Sequence, residues 1–332
     1  MRWLLLILVM PLFWVDNSTV QAQEVNLQEW EVPWESSRPR DPYIGPDGNV
    51  WFVGQRSDYI GMLDQATGQF KKYDLPAGAG PHNCIVDEEG FVWYSGNRAA
   101  NIGRLDPSTG DIEIIPMPDP AARDPHTLIF DSEGDIWFTV QGGNYVGKLT
   151  VASRKVDLIK VPTEGSRPYG IVIDENDRPW FLEFGSYKIA TVDPQSMELE
   201  EIDLPRTDAR PRRLGITTDQ NLWYVDYAGG YLGKYDPSSG EFEEWQMPSG
   251  VGSRPYGVAV DDQDRIWFVE TGPQPNRFVG FDPGTQQFFS INTVESGGGT
   301  IRHMYFNAPT REIWFGADSN TIGRAKLTDA GL

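Results

Sequence analysis

The stretch that decides the fold is Arg167-Pro-Tyr-Gly-Ile-Val-Ile-Asp174, followed by Glu-Asn-Asp-Arg and then Pro179-Trp-Phe-Leu-Glu183. Residues 169–174 alternate as a strand does, and the polar cluster after them reads as a hairpin turn. Tyr187–Asp193 reads as a third strand and Leu199–Leu204 as a fourth, stopped by Pro205. Prolines stand at strand ends, where a missing N–H removes no ladder bond. Four short strands in sequence make one antiparallel sheet.

The same unit recurs along the chain. Trp followed by an aromatic occurs at Trp51, Trp93, Trp137, Trp180, Trp223, Trp267 and Trp314, at intervals of 42, 44, 43, 43, 44 and 47 residues. That period is one four-stranded propeller blade. The seventh unit ends after its third strand, Thr321–Leu327, and the missing outer strand is available as Leu27–Val32 before Pro33. Pairing the termini in one blade removes an open edge. The expectation is an all-β, seven-bladed β-propeller of four-stranded antiparallel blades, closed by the N-terminal strand. Although 332 residues would fit two domains, the repeat makes residues 23–332 a single one. The paired aromatics are expected to wedge between blades.

The first residues read as a targeting signal. Arg2 precedes the apolar run Trp3–Val15, too short to span a bilayer, and Val20-Gln21-Ala22 is a small-residue cleavage pattern. Residues 1–22 are therefore expected to be a signal peptide, with a secreted or periplasmic product that has no membrane span. The charge of −20 argues against nucleic acid as a partner. Cys84 is the sole cysteine, so no internal disulfide can form, and it reads as a small buried apolar residue. A monomer is expected.

In a propeller the first strand of each blade lines the central channel. Eleven residues before each anchoring Trp stand Arg40, His82, His126, Tyr169, Arg212, Tyr256 and His303, the first six directly after a proline. All three histidines of the chain hold this one repeat position. Imidazole titrates near neutrality and so suits proton transfer. Three residues after the Trp, at the returning end of the second strand, the late blades carry Glu183, Asp226 and Glu270. These acids are expected at the same mouth, either binding a ligand or paired with Arg167, Arg210 and Arg254. Arg40, Arg212 and Arg213 have no evident local partner and would select an anionic or carbonyl-rich ligand. The chain has no HExxH, CxxC pair, Gly-x-Ser-x-Gly elbow or phosphate-cradling loop. Asp174-Glu-Asn-Asp177 reads as a turn more than as a calcium loop, and Gly297–Gly299 as a mobile lip.

Arg167-Pro-Tyr-Gly-Ile-Val-Ile-Asp174, Ser253-Arg-Pro-Tyr-Gly-Val-Ala-Val260 with Trp267-Phe-Val-Glu270, and Thr300-Ile-Arg-His303 resemble the streptogramin B lyase (virginiamycin B lyase) family of seven-bladed propellers, over about Leu27 to Leu327. The resemblance implies opening of a cyclic depsipeptide by elimination at an ester, assisted by Mg²⁺. It also implies a His base at the start of a late inner strand, a Glu fourteen residues on and a second His just after. Here Glu270 fits that Glu, whereas Tyr256 and Pro273 stand at the two His positions and Arg254 where a metal-binding acid would be.

The leading expectation is thus an exported lyase-like enzyme acting on an ester, lactone or uronate. His303 or His126 would remove a proton α to a carbonyl, Arg40 or Arg212 would stabilise the enolate, and Tyr256 or Tyr169 would protonate the leaving oxygen. His82 completes the ring. A non-catalytic propeller that captures an anionic glycan or peptide, and a metal-dependent lactonase built on Glu183, Asp226 and Glu270, remain open beside it.

Overall fold

The computed structural model describes residues 25–327; the signal-peptide reading of 1–22 lies outside them. Seven four-stranded antiparallel sheets follow one another, each built from consecutive strands except the last. In that one, Asn26–Glu31 pairs with Thr321–Lys326, in a register from Asn26 opposite Lys326 to Glu31 opposite Thr321. The closure expected from the termini is present. No helix among the described residues is long and apolar enough to cross a membrane.

The tryptophans hold the blades together. Trp93, Trp137, Trp267 and Trp314 are fully buried, and the apolar clusters run across neighbouring sheets, as Trp137 does with Ile171 and Phe181 of the next blade. Truncating such a residue to Ala costs about 3–5 kcal/mol. In some blades the indole N–H is met locally, whereas those of Trp51, Trp137 and Trp314 have no hydrogen-bond partner. In blade four, Asp174 accepts from the Trp180 indole at 2.9 Å with one oxygen, and from the Asn176 and Arg178 amides with the other. Asp87 and Asp261 serve Trp93 and Trp267 in the same way. The acidic cluster at 174–177 is accordingly a turn whose first Asp buckles the hairpin to its own Trp.

At the axis the inner strands are Pro39–Ile44, Pro81–Val86, Pro125–Phe130, Pro168–Ile173, Pro211–Ile216, Pro255–Val260 and Ile301–Asn307. Each carries a register shift just after its start. In blade two, Pro81 faces Gly96 and Cys84 faces Tyr94, so His82 and Asn83 together oppose Ser95. A bulge of this kind aims two successive side chains toward the channel at different depths. Hydroxyls from the second strand take up the loosened backbone groups. Ser95 accepts from the Asn83 amide at 3.1 Å and donates to the His126 carbonyl of the next blade at 2.9 Å. Thr139 does the same between Thr127 and the Tyr169 carbonyl. Cys84, 1% exposed, packs in this inner layer as expected.

Candidate functional site

Two tiers of side chains result. The upper tier walls a cavity of about 410 Å³ at the mouth, lined by Arg40, His82, His126, Tyr169, Arg212, Tyr256 and Arg302, with Arg38, Gln55, Asn97, Asp124, Gln141, Tyr227 and Thr300 at its rim. Six of the seven residues expected in the ring therefore converge. The seventh does not.

His303 lies one tier down. In blade seven Ile301 faces Ala317 and Met304 faces Phe315, so Arg302 holds the place that His82 holds in blade two. The cause is the hairpin: Phe306 and Ile313 enclose a turn one residue longer than that between the equivalent Val86 and Val92. Counting back from Trp314 consequently lands one residue late. His303 is instead a half-buried imidazole with Nδ1 sealed from solvent, near Asp41 and Arg213, and desolvation with the Arg213 and Arg40 charges holds its pKa down to about 4 against the opposing pull of Asp41.

Arg213 fills the same lower tier. It crosses from blade five to Asp41 Oδ2 of blade one (3.1 Å) and Thr127 Oγ1 of blade three (3.0 Å), and its Nε reaches the Arg302 carbonyl of blade seven at 3.2 Å. With Arg213 3% and Asp41 1% exposed, this pair forms the floor of the mouth. Arg213 is thus neutralised across the axis and does not wall the cavity.

The late-blade acids also stand apart from the mouth. Glu183, Asp226 and Glu270 are wholly buried and absent from its walls. Nor do the side chains of Arg167, Arg210 and Arg254 pair with them. Asp226 accepts from Arg206 Nη2 at 2.7 Å and from the Arg210, Ala228 and Gly229 amides. Glu270 accepts from the Ser249 amide and hydroxyl at 2.8 and 2.6 Å. Glu183 accepts from Ser186 at 2.7 Å. Successive strand residues point to opposite faces, so the next residue along is the one that faces in. Gln55, Asn97, Gln141 and Tyr227, four residues after their tryptophans, line the mouth, and Phe184 at the same place stacks under Arg212. That period was open to reading in the sequence.

Electrostatically the upper tier is cationic with neutral imidazoles. Arg302 pairs with Asp318, which also accepts from Arg38 Nε at 3.4 Å. Arg40 spends Nη1 on Gln55 at 2.9 Å and holds Nε 3.8 Å from Asp41 Oδ1; its Nε and Nη2, and the Arg212 Nε, are buried with no hydrogen-bond acceptor. The Arg212 guanidinium lies 3.9 Å from the Phe184 ring centre, 4.0 Å from Tyr227 and 4.4 Å from Tyr256, which fixes its plane through cation–π contact. His82 and His126 stack with ring centres 3.6 Å apart, and His126 lies 4.0 Å from Tyr169. Burial and then the surrounding arginines hold both pKa values well below the ordinary imidazole value. Across the mouth Tyr169 and Tyr256 share a hydroxyl–hydroxyl hydrogen bond. Burial raises the Tyr169 pKa. Burial works on Tyr256 in the same sense but is outweighed by Arg212 and Arg40, so Tyr256 is the more acidic phenol.

The residues do not fit Mg²⁺. Both oxygens of Glu270 are taken by Ser249, and Arg254, Tyr256 and Pro273 stand at the other positions. Among the described residues no group of three or more His, Cys, Asp or Glu could hold a metal ion. Glu183, Asp226 and Glu270, each held in its own loop, do not form the site that a metal-dependent lactonase would need.

Comparison with known proteins fits this architecture. The model of the virginiamycin B lyase family matches residues 18–183 and 154–330. A solved streptogramin B lyase superposes with a TM-score of 0.81 at 27% identity, covering 92% of this chain and 98% of that one. A catalytically inactive variant of virginiamycin B lyase from Staphylococcus aureus, crystallised with quinupristin, gives 0.81 at 25% identity, over 92% and 100% of the two chains. The extracellular domain of a putative one component system from B. thetaiotaomicron gives 0.68 at 14% identity, over 90% of this chain and 39% of that one, a likeness of fold alone. A search of curated proteins returned no match.

Proposed function

Because the chain belongs to the virginiamycin B lyase family, we propose that it is an exported carbon–oxygen lyase acting at the mouth on a small carboxylate- or ester-bearing substrate, of the ester, lactone or uronate type. One observation carries this reading: Arg40 and Arg212 line the mouth together with the linked hydroxyls of Tyr169 and Tyr256, and carry buried N–H groups that no protein oxygen accepts. Preorganised donors of this kind stabilise charge that develops on a substrate oxygen.

The base in this reading is a phenol and not an imidazole. Tyr256, the more acidic of the pair, takes the proton on the carbon α to the carboxyl or ester group. The electron pair moves onto the carbonyl oxygens, facing Arg40 and Arg212. It then expels the β-oxygen as the carbon–carbon double bond forms, and the leaving oxygen takes a proton from Tyr169. The proton gained by Tyr256 returns to Tyr169 through their hydrogen bond, so no water is consumed. The histidines, held neutral, serve as donors and packing surfaces.

Export rests on the N-terminal signal pattern. The ligand is a small molecule or the end of an oligosaccharide or peptide, and the protein acts as a monomer without nucleic acid.

The test is to incubate the purified chain with uronates, esters and lactones in heavy-oxygen water. Elimination gives a product with a conjugated double bond and no oxygen from solvent. Labelled product would replace this reading with hydrolysis, and a ligand bound but recovered unchanged would replace it with capture of an anionic glycan or peptide.

A further inference from the structure

Beneath the mouth, Arg213, Thr127 and His126 form a directed chain of hydrogen bonds. Arg213 can only donate, and its Nη1 lies 3.0 Å from Thr127 Oγ1. Thr127 Oγ1 lies 2.8 Å from His126 Nδ1. The hydroxyl is 3% exposed at the residue level and has no other partner. If His126 Nδ1 carried a proton, the Thr127 hydroxyl would face donors on both sides with nowhere to place its own hydrogen. A buried donor stranded in this way costs about 1–3 kcal/mol. The arrangement is satisfied only when Thr127 donates to Nδ1, and the imidazole proton then sits on Nε2. That atom has no protein partner, yet it is not among the sealed, unpaired atoms of the core, and His126 lines the mouth. Protonating both nitrogens would restore the conflict at Thr127 amid Arg213, Arg40 and Arg212, with His82 and His303 beside it.

We propose that His126 presents Nε2–H to the mouth as a hydrogen-bond donor, with its tautomer set by Arg213 through Thr127. His126 would then polarise a substrate carbonyl or carboxylate oxygen alongside Arg40 and Arg212. Arg213 and Thr127 are positioning residues, acting through it. The chemical role rests on the mouth being the reacting site; the tautomer does not.

Heavy-nitrogen histidine labelling separates the two. Correlating ring carbon protons with ring nitrogens in the native chain should show His126 as a single neutral species protonated at Nε2. Thr127→Val should admit the Nδ1-protonated form, and Thr127→Ser should keep the native pattern. An Nδ1-protonated or cationic His126 in the native chain overturns the assignment, and that spectrum decides the matter even if Thr127→Val fails to fold. Retention of pure Nε2–H in a folded Thr127→Val overturns the part given to Thr127. On a turned-over substrate, His126→Phe should lower kcat about 100-fold, with KM less affected. An unchanged kcat removes the donor role and leaves the tautomer standing.

Discussion

Arg213 of blade five and Asp41 of blade one meet at 3.1 Å across the propeller axis, and each is at least 97% buried. A charge pair at such depth is weak as a net source of stability, yet breaking it strands a charge. Here it ties non-adjacent blades and floors the cavity. Asp41→Ala should lower stability by about 3–5 kcal/mol, read as a drop in the denaturant midpoint. Asp41→Ala with Arg213→Met should recover much of the loss; equal losses in the single and double variants would contradict a pair.

The two tyrosines should separate in their effects. Tyr256→Phe removes the base and should cut kcat by about 10²–10⁴. Tyr169→Phe removes the proton donor and also unlinks Tyr256, so its cost should be least on substrates with a good leaving group. Equal losses across leaving groups would contradict the roles assigned.

The histidines should make the fold acid-sensitive. His82, His126 and His303 have native pKa values below their unfolded value of about 6.5. The unfolded chain therefore binds more protons in the window beneath 6.5, and stability rises with pH there. Their contribution is complete above about pH 6.5 and diminishes as pH falls below it, the share of His303 being lost by about pH 4. Melting temperature against pH should show this limb, and His303→Asn should flatten it.

Glu183 should act in the opposite sense. Burial, reinforced by Glu201 and opposed by Ser186, pushes its carboxyl up to about 8, and Oε1 has no partner. Between the ordinary carboxyl range and about pH 8 the native chain holds the extra proton, so stability falls as pH rises through that window. Glu183→Gln should raise stability by about 2–3 kcal/mol above that pH and change little in acid. A uniform effect at all pH values would contradict the buried neutral carboxyl.

The blades were legible because a Trp followed by an aromatic, between short alternating strands, is a local pattern that recurs in all seven units. Ring membership was legible for the six blades whose hairpins have equal length. His303 was misplaced because one inserted turn residue shifts the count, and the count carries no record of the bulge. The three acids were placed at the mouth by counting three residues from the Trp where four was needed, and in a strand that error reverses the face. The Arg213–Asp41 contact joins positions 172 residues apart, and no local pattern announces a partner across an axis.

The central claim is that the guanidinium groups of Arg40 and Arg212 lining the mouth select an anion. Calorimetric titration of a small uronate into the native chain, Arg40→Ala and Arg212→Ala tests it most directly. The native chain should bind with an affinity that declines as salt is raised, and each substitution should weaken binding by about 10- to 100-fold, in line with a charged hydrogen bond of about 1.5–3 kcal/mol. Equal, salt-independent binding by all three proteins would contradict the claim.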